Sequence, residues 1–246
     1  MSTANVVGLL QGMMEKLPRH LQLLLQYAAC LGSSFIAFTL GIIWQEHGVK
    51  HVNVKSYGPN FIIDSLAILE EKKFIECHGT NMYRWMHDKV QEAALSLGDV
   101  GQDFFQFEIG SVLYSSLSKT DLEESIFDVA NLINRGRAKK GIGFASLNLR
   151  AAEKAKRISA FESAANFVSS GIKFLPSDRW RNHRNLTLQL FRLGSEMELA
   201  MGHVETMETY NNEVLSQEGC STLEKVPIHM AVAHKLQAVD MRYEET

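Results

Sequence analysis

The chain has 246 residues, 46% hydrophobic and 22% charged, with only four prolines; that composition excludes collagen-like, mucin-like and disordered classes and is enough for a full core in one large or two small domains. A net charge of −3 and a pI near 6.3 exclude a general nucleic-acid or membrane binder. Three scattered cysteines (Cys30, Cys77 and Cys220) form no CxxC pair, so the expected setting is reducing and cytoplasmic.

Leu21 to Gln45 contains no charged residue over 25 positions, against the roughly 20 apolar residues that span a bilayer. The run includes Gln22, Gln26, Ser33, Ser34 and Thr39, and Leu31-Gly32-Ser33-Ser34 has the character of a helix stop and turn. Two core helices are therefore expected here, with no membrane association. Glu15 and the lack of a basic start before an apolar core argue against a secretory signal.

The first hundred residues read as three helices, two strands and a helix. Pro18 suits the first turn of a helix ending near Gly32, with Leu21, Leu24, Leu25 and Ala28 on one face. A second helix is predicted from Ala37 to Glu46, stopping at Gly48. A third follows Gly58-Pro59 and runs to Glu71, with Ile62, Leu66 and Leu69 inward. Phe74–Cys77 and Tyr83–His87 flank a Gly79-Thr80-Asn81 turn and predict a short hairpin. Asp88 is the expected cap of the next helix, with Gln91 reaching back and Val90, Ala94 and Leu97 inward. Three helices followed by a hairpin is the order of a winged-helix domain, placed at 14–100.

From Gly101 the pattern is wholly helical. Asp121 and Glu124 pair as a cap for a helix with the stripe Ile126, Val129, Ala130 and Ile133, ending at Gly136. Phe144, Leu147, Ala151, Ala155 and Ile158 form the next stripe. Ser159-Ala160-Phe161-Glu162 reads as a capping box for a helix that Pro176 closes. Leu186, Leu190, Leu193, Met197 and Ala200 line a longer helix that breaks near Gly202, and two weaker helices finish the chain. Ala164, Val168, Gly171 and Pro176 match the second half of a tetratricopeptide repeat, with no equally good second copy. The expected fold class is mainly α: a winged helix with a short β-hairpin, then a TPR-like α-helical array over 101–246.

Catalytic and metal motifs are sparse. GxxxxGK[ST], GxSxG and HExxH are missing, and Lys139-Lys140-Gly141-Ile142-Gly143 is no phosphate-binding substitute, so no enzyme activity is expected of this chain. His47 and His51 straddle Gly48 and read as exposed loop histidines rather than a metal pair. Cys77-His78 with His87 across the hairpin is an equally weak metal set, and no metal site is assigned. The third helix carries Asp64, Glu70 and Glu71 against Lys72 and Lys73, and residues 1–100 hold 8 basic and 9 acidic side chains. Major-groove binding needs a net positive face, so no DNA is expected as partner, and a winged-helix DNA-binding regulator is the disfavoured alternative. Arg135 to Arg184 holds 12 basic and 3 acidic residues, whereas Asn185 to Thr246 holds 4 and 10. Arg150, Lys154 and Arg157 share one helix face and form a possible docking surface beside the plainer reading of a solvated face.

Met86-His87-Asp88, between a strand and a helix, resembles the MHD motif of nucleotide-binding leucine-rich-repeat proteins. His87 to Leu97 is similar to the segment that follows the ATPase core in large signalling proteins. These join a serine/threonine or hybrid histidine kinase to a STAND-type ATPase of the AAA+ superfamily with helical repeats. The similarity extends through Leu17-Pro18, Ala28 to Gly32, Ile126-Phe127-Asp128, Leu132 to Gly136, Leu147 to Leu149 and Ala151 to Pro176, covering most of residues 10–215.

The resemblance implies a regulatory and protein-interaction module in signal transduction. In such proteins the winged helix packs on the nucleotide-binding core and the motif histidine approaches the β-phosphate of ADP, a role that falls on His87 here. The implied partner is an upstream ATPase core or another protein; ATP or ADP is a cofactor only together with that core. Met1 lies about a dozen residues before the winged helix, so the chain is expected to be a fragment or a paralogue that has shed its ATPase. The alternative is a free-standing TPR-like scaffold or adaptor with no nucleotide role.

Overall fold

The computed structural model describes residues 3–52, 58, 60–98, 102–136, 141–217, 221 and 225–226. The second of the two closing helices, Cys220, the 100/101 boundary and Lys139 and Lys140 of the Lys139–Gly143 string lie outside them. The chain divides into two compact units, Met1–Arg137 and Ala138–Thr246. It is mainly helical, with one small three-stranded antiparallel sheet.

The first unit opens with α1 (Thr3–Met14), ahead of the expected start at residue 14, and α2 (Arg19–Leu31). Leu21, Leu24, Leu25, Tyr27 and Ala28 are buried to within 2% of complete, making α2 the central rod of this unit. It ends at Gly32, whose φ of 116° favours a residue without Cβ. The uncharged run Leu21–Gln45 is thus cut by a turn, and among the described residues no helix is long and apolar enough to cross a membrane.

After the turn comes β1 (Ser34–Ile36), a strand that sequence reasoning missed, and then α3 (Ala37–Ile43). The expected stop at Gly48 does not occur. The helix passes into a π-helical turn, Trp44–Gly48, and continues as α4 (Val49–His51). Gly48 serves packing instead: a Cβ there would meet the Trp44 indole at 2.6 Å. Next come α5 (Phe61–Glu71), β2 (Ile75–Cys77), β3 (Met82–Trp85) and α6 (Asp88–Leu95). The predicted hairpin is present, turning through Gly79 and Asn81 at positive φ. β3 lies between β1 and β2, with Phe35 opposite Tyr83 on one side and Cys77 opposite Tyr83 on the other. The Phe35 and Tyr83 rings stack at 5.9 Å, fastening the extra strand to the hairpin.

Three further helices belong to this unit: α7 (Gln102–Ser116), α8 (Lys119–Glu124) and α9 (Ile126–Arg135). Their place differs from the expected break near residue 100, because α7 packs on α2, α3 and the π-turn, with the Phe105 ring stacked on Tyr27 at 5.6 Å. The stripe Ile126, Val129, Ala130 and Ile133 is buried as expected. The cap is not the Asp121–Glu124 pair: Ser118 caps α8, its Oγ accepting from the Asp121 amide at 3.2 Å.

The second unit contains α10 (Ile142–Arg157), α11 (Phe161–Phe174), α12 (Arg179–Asn182), α13 (Arg184–Ala200) and α14 (Val204–Leu215). α10 packs on α11, α11 on α13 and α13 on α14. Ala151, Ala152 and Ala155 of α10 and Ala164 and Val168 of α11 are all completely buried where these two helices pack, and small side chains let two backbones approach. Ile158 does not extend the stripe, since α10 ends at Arg157 and Ile158 is 64% exposed. The predicted capping box at Ser159–Glu162 is also missing. Ala160 holds the cap position without a side-chain bond, and Ser159 adopts a φ of 59° with its amide bonded back to Lys156. Arg179 and Trp180 both donate to Glu213 at 2.8 Å, tying α12 to α14 and holding the carboxyl below its ordinary range.

Candidate functional site

Three places answer to the residues that sequence reasoning raised. The first is the corner between β3 and α6. Trp85 is buried and donates its indole N–H to the Gly32 carbonyl at 2.9 Å, while the Met86 amide bonds to Phe74 O at 3.2 Å. These anchors leave His87 exposed at the turn, with β-region backbone angles. The cap of α6 is His87 rather than Asp88: its Nδ1 accepts from the Lys89 amide at 3.0 Å. Asp88 is the first helical residue, favourably placed at the positive end of the helix. Gln91 does not reach back to the cap; its Nε2 donates to Ala29 O at 3.1 Å and pins α6 to α2.

This capping bond has a chemical consequence. An Nδ1 that accepts a backbone N–H carries no proton, so the neutral imidazole is the Nε2–H tautomer. His87, an exposed residue, therefore has a single N–H donor at the head of α6, with its ring held by its own helix.

The second place is α10. Arg150, Lys154 and Arg157 lie at i, i+4 and i+7 on one face as expected; Arg150 and Lys154 are half-buried and Arg157 is exposed. Beside them Lys156 pairs with Glu196 of α13 at 2.5 Å, so part of the basic excess is matched within the unit.

The third place was read as loop histidines in the sequence, and the structure corrects that. His47 is only 9% exposed, inside the π-turn. Its Nδ1 lies 2.9 Å from the Tyr27 hydroxyl and its Nε2 3.4 Å from Glu108. His51 is exposed, and its ring stacks on His47 at 4.4 Å. Beside this cluster opens a pocket of about 140 Å³ that also takes in Arg19, Gln26 and Cys30. Burial pushes the Cys30 thiol up to about 12, so it is neither a thiolate nor a nucleophile at neutral pH. Burial also raises Tyr27, which therefore keeps its proton. Among the described residues no group of three or more His, Cys, Asp or Glu side chains could hold a metal ion. The π-turn marks this place in the structure, since such turns occur frequently at functional sites.

Burial, and next the neighbouring His51, lower the His47 pKa from its ordinary 6.5; Lys50 acts the same way, and Glu108 opposes them. The unfolded chain thus binds more protons than the native one as pH falls below 6.5. Stability from this group is complete above 6.5 and declines as pH drops through the lower native value. His20, lowered by burial, adds to the same slope. Urea midpoints measured between about pH 7.5 and 5 should fall with acid, and less steeply in His47→Phe. An unaltered slope in that variant would exonerate His47.

Comparisons with protein-family models, with curated proteins and with solved structures found no match to this chain.

Proposed function

We propose that the chain is the regulatory and interaction module of a STAND-type signalling ATPase or multidomain kinase. A winged-helix arm would carry nucleotide state from an ATPase core, and a TPR-like array would engage protein partners. The observation that carries this reading is His87, exposed at the strand-to-helix corner with its Nδ1 held by the Lys89 amide, which leaves Nε2 as the ring's donor. A donor held in that way makes a charge-assisted bond to a phosphate oxygen and loses it when the nucleotide changes or leaves. The order α2, β1, α3, α5, β2, β3 with β3 in the middle of the sheet supports the winged-helix assignment. Successive packing of α10, α11, α13 and α14 supports the helical array. The acidic residues of α5, Asp64, Glu70 and Glu71, favour a protein partner over DNA.

The test separates sensing from capping. The first step is to map the 5′ end of the transcript and express the chain with any ATPase core encoded upstream in frame. In that protein His87→Asn keeps a good cap, so stability should change by less than about 0.5 kcal/mol. It removes the imidazole N–H, so ADP should dissociate about tenfold faster and basal activity rise. His87→Ala should add a stability loss of about 1 kcal/mol. Unchanged ADP release in both variants would remove nucleotide sensing from His87.

A further inference from the structure

Gln26 is 5% exposed in the middle of α2, yet its amide Nε2 has no hydrogen-bond partner among the described residues. A buried amide donor left unsatisfied costs about as much as a lost hydrogen bond, so such groups are rare and usually meet a ligand or an ordered water. Gly98 faces this amide; a Cβ there would sit 3.7 Å from Nε2, an ordinary contact that would narrow the approach. Gln26 lines a pocket of about 140 Å³ bounded by α2, the π-turn, the end of α6 and α7.

We propose that this pocket binds a small organic carboxylate, with its oxygens held by Gln26 Nε2–H and Arg19 and its hydrocarbon body against Leu23, Leu95 and Phe105. The unmet group is a donor, so the ligand must bring an acceptor. Arg19, exposed at the mouth, supplies a permanent positive charge with donors beyond the one it gives Gln22. Glu108 lines the same pocket, with its Oε2 3.4 Å from His47 Nε2 as that ring's partner. The volume suits a ligand of a handful of heavy atoms. This site is separate from the His87 corner and stands or falls independently of the nucleotide reading.

Sodium butyrate is the probe, followed by the Gln26 side-chain amide and the Gly98 backbone amide in ¹H–¹⁵N spectra of the whole chain. Both signals should shift saturably, in the millimolar range expected of so few atoms. Sodium chloride at matched ionic strength and n-butanol should produce no saturable shift. Arg19→Gln should weaken butyrate binding about tenfold. Gln26→Leu, read at Gly98, should do at least the same. Gly98→Val, at an exposed position, crowds the pocket against the Gln26 amide without replacing that side chain and serves if the buried variant fails to fold. Signals that stay still with butyrate, as they would if water alone satisfies Gln26, overturn the proposal. So does an equal response to n-butanol, which would mark an apolar cleft, or to chloride, which would mark a simple anion site.

Discussion

Gly110→Val is expected to cost the first unit about 3 kcal/mol, enough to be obvious as a lowered urea midpoint by circular dichroism. Gly110 sits in α7 where it crosses α9, and even a single Cβ would lie 2.8 Å from Leu132 Cβ and 2.9 Å from the backbone nitrogen of Ile133. Those two atoms belong to the course of α9 itself, so no rotamer change relieves the clash. The helices must separate, and Ile109, Ile133 and Val129, all buried to within 1%, lose contacts with them. Valine adds two methyl groups and a β-branch, which α-helices disfavour. Trimming Ile133 to Ala removes a third neighbour, Cγ1 at 2.9 Å, but leaves the backbone where it was. The double variant should therefore be no more stable than Gly110→Val. A recovered midpoint would show that the side chain, rather than the backbone, sets the approach.

Leu190→Ala in the second unit should cost about 2–5 kcal/mol, since Leu190 is fully buried between α11 and α13. Here the companion experiment has the opposite sign. A Cβ on Gly171 would meet Leu190 Cδ2 at 2.8 Å, with Asn148 Cβ next at 3.2 Å. The nearest obstacle is thus the end of a side chain. Gly171→Ala alone should cost about 1–2 kcal/mol after its helix-propensity gain is set against overpacking. In the Leu190→Ala background the new methyl partly fills the space left behind. The double variant should lose less than the sum of the singles, with a coupling of about 1 kcal/mol. Additive losses would mean that Gly171 and Leu190 do not share that space.

These two glycines also show how far periodicity carries. Gly171 stands out in the sequence because it falls at a repeat position among alanines, and the α11 crossing found there explains it. Gly110 has no such setting; nothing in Glu108-Ile109-Gly110-Ser111 distinguishes a packing glycine from a weak point in a helix.

The same division runs through the first unit. Apolar stripes that repeat every three to four residues are local properties, so α2, α5, α9 and α13 can be read directly from residue order. The hairpin could be read for a similar reason: aromatic and β-branched residues flank a Gly-Asn turn that must adopt positive φ. Ser34–Ile36 carries no comparable local signal. It is extended because Arg84, Tyr83 and Met82 offer it a ladder from 46 to 50 residues away, and a strand of three residues has no alternation to display.

Capping shows the limit most sharply. Asp88 followed three residues later by Gln91 has the right letters for a capping box, yet the chain enters α6 one residue earlier, with His87 as cap, because Trp85 and Gln91 are both bonded to the end of α2. Those long-range bonds outweigh a local preference of about 1 kcal/mol. His47 and Gln26 follow the same logic. Their letters are ordinary; Tyr27, Glu108, Gly98 and the π-turn make one a buried hydrogen-bonded ring and the other an unmet donor. Residue order was enough for the striped helices α2, α5, α9 and α13, since a helix answers to neighbours three and four positions away. Strand partners, caps and the pocket came from packing, since they answer to groups tens of residues distant that only folding brings within 3 or 4 Å.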